Sequence, residues 1–308
     1  RHAEVEDEDA AMYGEPLPTK AVKQMPRLDR HGIPVLDDVL PKNGSRVRWG
    51  ICGPGRIAGD FAVALHALGA DVAAVAAGTL PGSLDRARDF ARRFKVRTAY
   101  GSYEELATDP GVDVVYIATT NQLHYANARL MLSHGKHVLV EKPATIGVAQ
   151  FEDLMRLSRE KGLLLVTNFW TRWFPAVKWA ENVVQSGMLG QVVHVSGDMA
   201  FQVMRQAPAR DRFLRADLGG GAMLDMGVYL VQFAAMFLEG DLSVGPKGYG
   251  NFTVKASGTA RAGVDMETAF LMTNGRAGAS FGTSLDRASD FTLKVYCQHG
   301  VELINAPA

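Results

Sequence analysis

From residue 46 onward the chain alternates two patterns of hydrophobic and polar positions. Short apolar runs at 47–52, 71–77, 98–100, 112–119, 137–141 and 163–168 have the length of strands. Between them, stretches at 59–68, 84–94, 103–108, 123–134 and 148–161 carry apolar residues three and four apart, the spacing of helices packed on one side. The second and fourth runs are apolar throughout, as expected of strands buried on both faces. Strands and helices taking turns in this way predict a doubly wound parallel sheet. After residue 172 the pattern changes. A helix at 176–187, a strand at 192–199 and a helix at 222–237 precede alternating strands at 252–258, 267–273, 277–284 and 291–298, joined by turns containing glycine. That order predicts a mostly antiparallel, open-faced sheet with helices on one face. The expected fold class is α/β, a doubly wound parallel sheet followed by an α+β domain, divided at 1–45, 46–170 and 171–308.

The first 45 residues lack either period. Glu4, Glu6, Asp7, Glu8 and Asp9 crowd the start, and Pro16, Pro18, Pro26 and Pro34 punctuate the rest. An extended arm is expected, either a solvated tail or a strap docking on a protein partner. As written it is too acidic for a transit peptide, although it fits what remains after one is removed. At 308 residues the chain has room for about two domains. Its 33 basic and 33 acidic residues balance, which argues against a nucleic-acid partner. No apolar run approaches the ~18 residues of a membrane span, the most apolar stretch, 61–80, being broken by His66 and Asp71. Two cysteines make no disulfide framework, and no Cys/His spacing suggests a metal. A soluble protein of the cytoplasm or of an organelle matrix is expected, the choice between them left open.

Chemistry enters at the first strand–helix junction. The strand at 47–52 runs into Gly53-Pro54-Gly55-Arg56-Ile57-Ala58. In this G-x-G-x-x-A pattern the first glycine allows a tight turn, the second lets main chain approach a pyrophosphate, and Ala58 allows close helix–strand packing. The helix N-terminus offers free N–H groups to phosphate. A Rossmann-type dinucleotide site is therefore expected. NAD enzymes usually carry an acid at the end of the second strand, but here Ala76-Ala77-Gly78-Thr79 follows. Thr79, Ser83, Arg86 and Arg88 suit a 2′-phosphate, which favours NADP over NAD, unless the arginines merely solvate their helix.

Gly53–Ala58, Ala118-Thr119-Thr120-Asn121-Gln122-Leu123-His124 and Glu141-Lys142-Pro143 occur in the order and at the spacing of the Gfo/Idh/MocA oxidoreductases, which the chain resembles from residue 46 onward. Trp170-Thr171-Arg172-Trp173-Phe174-Pro175 and Gly219-Gly220-Gly221-Ala222-Met223-Leu224-Asp225-Met226-Gly227-Val228-Tyr229 are similar to the dimeric dihydrodiol dehydrogenase branch, which includes NADP-dependent xylose dehydrogenases. The resemblance implies that Gly53, Gly55, Arg56, Ile57, Thr79, Thr119, Asn121, His124, Glu141, Lys142, Trp170 and Arg172 hold the cofactor. It implies Lys142, Tyr229 and Asp225 as the catalytic group, a sugar or cyclic diol as substrate, and a homodimer formed through the open sheet face. Thr120 stands where the family has proline. The family pattern also continues past a strand ending near Ile304, so the C-terminal end is expected to be truncated.

The residues carry their own argument. Lys142 leaves a strand at the edge where open parallel sheets bind ligands, and Pro143 disfavours helical geometry there. A lysine partly desolvated beside a positive nicotinamide is suited to polarise or deprotonate a hydroxyl, the alternative being an ion pair with Glu141. Asp225 and Tyr229 stand four apart in an expected helix and so share a face. Either Lys142 or Tyr229 is the proton acceptor. Lys142 is expected to lower the pKa of Tyr229 and Asp225 to orient the substrate or the lysine, the alternative for Tyr229 being a core tyrosine with a satisfied hydroxyl. Arg205, Arg210, Arg212 and Arg215 precede the triple glycine in a loop that either meets ligand or is solvated. The function expected is NADP-dependent hydride transfer at a carbinol carbon. A catalytically idle scaffold subunit of a larger assembly is the alternative.

Overall fold

The computed structural model describes residues 47–78, 80–203, 212–238 and 252–305. The expected arm at 1–45, Thr79, Arg205 and Arg210 lie outside the described residues. Two six-stranded sheets organise the rest. The first has β1 (Arg48–Cys52), β2 (Asp71–Ala76), β3 (Thr98–Tyr100), β4 (Val114–Ile117), β5 (His137–Glu141) and β6 (Leu165–Asn168), in the order β3-β2-β1-β4-β5-β6, every pair parallel. Its helices are α1 (Arg56–Ala67), α2 (Ser83–Phe94), α3 (Tyr103–Thr108), α4 (Asn121–Ser133) and α5 (Val148–Lys161). The core divides at the sheet. Ile51 and Tyr116 pack to one side with α1 and α2, while Cys52 and Ile117 pack to the other with α3, α4 and α5. Adjacent strand residues thus enter opposite cores, which is why the strands read as unbroken apolar runs.

A 3₁₀ turn, Trp170–Trp173, leads through α6 (Pro175–Gln185) to the second sheet. This sheet contains β7 (Val192–Ala200), β8 (Thr253–Arg261), β9 (Val264–Thr273), β10 (Gly278–Ser284), β11 (Thr292–Cys297) and β12 (Gly300–Asn305), in the order β12-β11-β7-β10-β9-β8. It is mixed, because β7 and β10 run parallel while the other neighbours are antiparallel. Val195, Phe270, Ala279, Phe281, Leu293 and Val295 point to one face and bury against α6 and α7 (Val228–Leu238).

Two expectations change. The helix expected over 222–237 is not uniform, since a π-helical turn, Met223–Gly227, precedes α7 and Val228 N–H reaches back five residues to Met223 O. The expectation that no stretch approaches a membrane span also changes, since the helical stretch 216–238 holds an 18-residue window of mean hydropathy 1.5, apolar enough to cross a membrane by composition, but 72% of that window is buried inside the protein. Eight of the eleven residues of α7 are buried, so its apolarity on all sides serves the core of the second sheet.

Candidate active site

Because the first sheet is parallel, the carboxyl ends of its strands share one edge, and the segments leaving that edge build the site. Gly53, after β1, adopts φ +95°, and a Cβ there would stand 2.9 Å from Thr119 Cγ2. At Gly55 the nearest atom to a Cβ is Ala118 O at 3.9 Å, so that flank is open to an incoming group. The first turn of α1 has neither a capping side chain nor an acidic residue, leaving its N–H groups and positive dipole end for an anion. Arg56 and Ile57 are exposed beside it, and Ala58 is buried. Gly59 is a tight packing point that the motif did not signal, because a Cβ would meet the Phe94 ring at 2.6 Å. This cradle fits the pyrophosphate of a dinucleotide.

At the end of β2, Ala76 and Ala77 are buried and Gly78 faces the Tyr103 hydroxyl, with no carboxylate in the segment. Arg86 donates to Ser83 Oγ at 3.1 Å. Burial pushes the Tyr103 hydroxyl up to about 12, and the charge of Arg86 acts against that rise, which places Arg86 beside it. Arg88 instead pairs with Asp85 at 3.5 Å on the exposed side of α2. Of the three described residues expected around a 2′-phosphate, Ser83 and Arg86 stand together and Arg88 is drawn away.

Lys142, Asp225 and Tyr229 come together. Lys142 Nζ donates to Asp225 Oδ1 at 3.0 Å and to Asp225 O at 2.7 Å, with both side chains largely buried. The second acceptor is a main-chain carbonyl within the wide π turn, a departure from α geometry that often marks functional sites. The same ammonium lies over the Tyr229 ring, 5.4 Å from its centroid. Tyr229 is 3% exposed, and its hydroxyl accepts from Trp170 Nε1 at 2.6 Å. Burial raises the pKa of that hydroxyl despite the hydrogen bond, and the charges of Glu141 and Asp225 add to the rise.

Glu141 does not take the ammonium either. Its Oε1 accepts from Tyr116 Oη at 2.5 Å and Asn168 Nδ2 at 2.7 Å, and its Oε2 from the Lys142 main-chain N–H at 3.3 Å. The expected alternative of a Glu141–Lys142 side-chain pair is overturned because Asp225 holds the lysine. Tyr116 and Asn168 were not singled out from the sequence; both are inward-facing strand residues whose spacing marks only core. The Lys142–Pro143 bond is cis.

His124 is 1% exposed, with Nδ1 2.7 Å from Pro143 O and Nε2 3.0 Å from Thr119 O. Both ring nitrogens face main-chain carbonyls, so the ring ties the segment after β4 to the segment after Lys142. Burial lowers its pKa more than the two carbonyls raise it. Thr119 is half-buried beside Gly53 and faces Asn127 Nδ2 at 3.4 Å. Asn121 is buried and donates to Gly219 O at 2.9 Å. Trp170 is half-exposed and packs edge-on against Tyr229 and Phe174. Arg172 is half-buried with no side-chain partner among the described residues. Arg212 lies over the Phe213 ring and reaches Asp225 Oδ1 at 3.4 Å, whereas Arg215 pairs with Asp217 on the surface.

Sequence profiles match both halves of the chain. One, described as an oxidoreductase family with an NAD-binding Rossmann fold, covers residues 47–169. The other, the GFO/IDH/MocA C-terminal domain, covers 177–301. The chain is 36% identical over 207 residues to a trans-1,2-dihydrobenzene-1,2-diol dehydrogenase of Xenopus tropicalis, covering 66% of this chain and 60% of that protein. It is 39% identical over 197 residues to the Homo sapiens enzyme of the same name, covering 63% and 57%. The chain thus spans well under two thirds of the length of these curated relatives. Among solved structures, a levoglucosan dehydrogenase in complex with NADH and levoglucosan superposes with a TM-score of 0.74 at 21% identity, over 84% of this chain and 73% of that one. An NAD binding oxidoreductase from Klebsiella pneumoniae gives 0.73 at 23%, over 85% and 73%. At such identities the likeness is one of fold.

Proposed function

Since the chain belongs to the GFO/IDH/MocA oxidoreductase family, we propose that it is a dehydrogenase that uses NADP to oxidise a carbinol carbon of a cyclic trans-diol or sugar, or to reduce the matching carbonyl. The observation that carries this reading is the pairing of Lys142 with Asp225 beside Tyr229, at the same sheet edge as the Gly53 turn. Gly53, Gly55 and the first turn of α1, flanked by Arg56 and Ile57, would hold the pyrophosphate of a dinucleotide, and Thr119, Glu141 and Trp170 would border its other half. The bound nicotinamide supplies the hydride acceptor.

Lys142 Nζ carries the proton to or from the substrate oxygen. Asp225 aims the lysine through Oδ1 and the main-chain oxygen. Tyr229 donates its hydroxyl hydrogen bond to the substrate, because that proton has no acceptor among the described residues and the raised pKa keeps it on the oxygen. The half-exposed Trp170 ring covers the apolar face of a cyclic substrate. NADP is preferred because the end of β2 has no carboxylate to receive a 2′-hydroxyl and Arg86 stands beside Ser83. NADH accompanies the levoglucosan dehydrogenase named above, so the preference is tested directly. The open face of the second sheet carries Ser196, Ala269, Ser280 and Gly282 together with His194, Asp198 and the exposed Leu271, a mixed surface that pairing with a second copy would cover.

The test is titration of the chain with NADPH and NADH, followed by turnover on cyclic trans-diols and aldoses with Lys142→Met alongside. NADPH is expected to bind more tightly, and Lys142→Met to keep binding while losing roughly 100- to 10,000-fold in kcat. Failure of both cofactors to bind would sink the reading. Equal turnover by the variant would remove Lys142 from the reaction.

A further inference from the structure

Family resemblance assigns Asn121 to the cofactor, but the folded chain turns its amide elsewhere. Asn121 opens α4 at the cofactor edge of the first sheet, is 6% exposed, and donates through Nδ2 to Gly219 O at 2.9 Å. That carbonyl begins the triple glycine, which is closed into a knot by its own main chain. Gly219 N–H donates to Ala216 O at 3.0 Å, Gly220 N–H to Arg215 O at 2.9 Å and Gly221 N–H to Phe213 O at 2.9 Å.

Each glycine is required for a separate reason. Gly219 has φ +73°, and a Cβ there would stand 3.0 Å from Asn121 Cβ and from Ile146 Cδ1. A Cβ on Gly220 would lie 2.5 Å from Phe213 O and 2.6 Å from Arg212 O. Gly221 has φ +109° and presses on Asp265, whose carboxylate caps the following turn by accepting Met223 N–H at 2.8 Å. Two side chains issue from this knot. Arg212 leaves from one side. Asp225, whose N–H donates to Gly221 O at 3.2 Å, leaves from the other, and the two meet at 3.4 Å where Asp225 also holds Lys142.

We propose that Asn121 is a positioning residue that grips this knot, so that Asp225, and through it Lys142, is held in register with the cofactor edge. Its Nδ2 is committed to Gly219 O, so the amide serves the knot first. Losing the donor leaves the Gly219 carbonyl unpaired in a buried place and frees the knot to shift. Displacements of about 1 Å at remote positions are enough to cost roughly 100-fold in rate. The kinetic part of this proposal rests on the dehydrogenase reading, whereas its structural part does not.

The test uses the full chain with Asn121→Leu and, from the opposite side of the contact, Gly220→Ala. Without cofactor, hydrogen exchange of residues 213–226 is expected to quicken by about tenfold in both variants while residues 50–58 exchange as before. With cofactor, NADPH and NADH dissociation constants should stay within about twofold while kcat falls roughly 10- to 100-fold. Unchanged exchange at 213–226 in Asn121→Leu would overturn the proposal. So would a loss of cofactor affinity in step with kcat, which would make Asn121 a cofactor ligand. A wild-type chain that binds no cofactor would remove the dehydrogenase reading, and the exchange experiment would still decide whether Asn121 holds the knot.

Discussion

Both sheets have six strands, yet β1 and β4 carry helices on both faces, whereas β8 is exposed at every one of its nine positions and, among the described residues, the second sheet has helices on one side only. In the first sheet the common strand direction does the functional work, collecting five chain segments at one edge. In the second sheet the face matters, because its inner side holds the π turn and helix that deliver Asp225 and Tyr229, while no described helix covers its outer side. A change of the same kind should therefore have different consequences in the two places.

The largest expected effect is at the centre of the first sheet. Val115→Asp puts a carboxylate where no exposed surface exists on either side, and no folded protein should be recovered by circular dichroism or calorimetry. On the inner face of the second sheet, Phe281→Ala should cost about 3–5 kcal/mol, read as a lowered denaturation midpoint at unchanged slope. Next comes the pair at the amino-terminal edge of the first sheet. Arg48 hydrogen bonds hold the Asp113 carboxyl down, from the ordinary 3.8 to about 2. A depressed carboxylate contributes its full stabilisation above the ordinary value and loses it as pH falls from about 4 to about 2. Both side chains are roughly two-fifths exposed, so solvent screening limits the effect to about 1 kcal/mol or less. Arg48→Met should accordingly narrow the gap in stability between pH 6 and pH 3. Smallest for the monomer is Ala269→Lys at an exposed position of the open face, expected to change stability by less than about 0.5 kcal/mol. The same change should convert dimer to monomer in sedimentation if that face pairs subunits, and an unaltered sedimentation coefficient would place any pairing elsewhere.

The same contrast governs what the sequence reveals. The parallel strands were readable because doubly buried strands must be apolar at successive positions, and the helix boundaries came within a few residues for the same reason. Gly53, Lys142 and Asp225 were legible because a turn, a strand end and a carboxylate in an apolar helix each demand a particular residue type. The π turn was not, since one extra residue in a turn leaves the apolar period almost unchanged. Nor was the parallel pairing of β7 with β10, because alternation reports which face a residue takes and says nothing of the neighbouring strand's direction. Tyr116, Asn168 and Asp265 act through partners distant in the chain, so no local pattern announces them.

That pairing also sets an order of events. His194 of β7 is hydrogen-bonded to Ser280 of β10 across 86 residues, and β11, on the other side of β7, is made later still. The first sheet has no such delay, since every strand from β1 to β6 emerges before residue 170. During synthesis the second sheet must wait for its outer partners, with β7 unpaired and the apolar α7 uncovered in the meantime. Long-range strand pairing of this kind is slow and leaves sticky surfaces exposed. A nascent chain arrested near residue 240 should therefore hold a completed first sheet beside a segment with high affinity for chaperones.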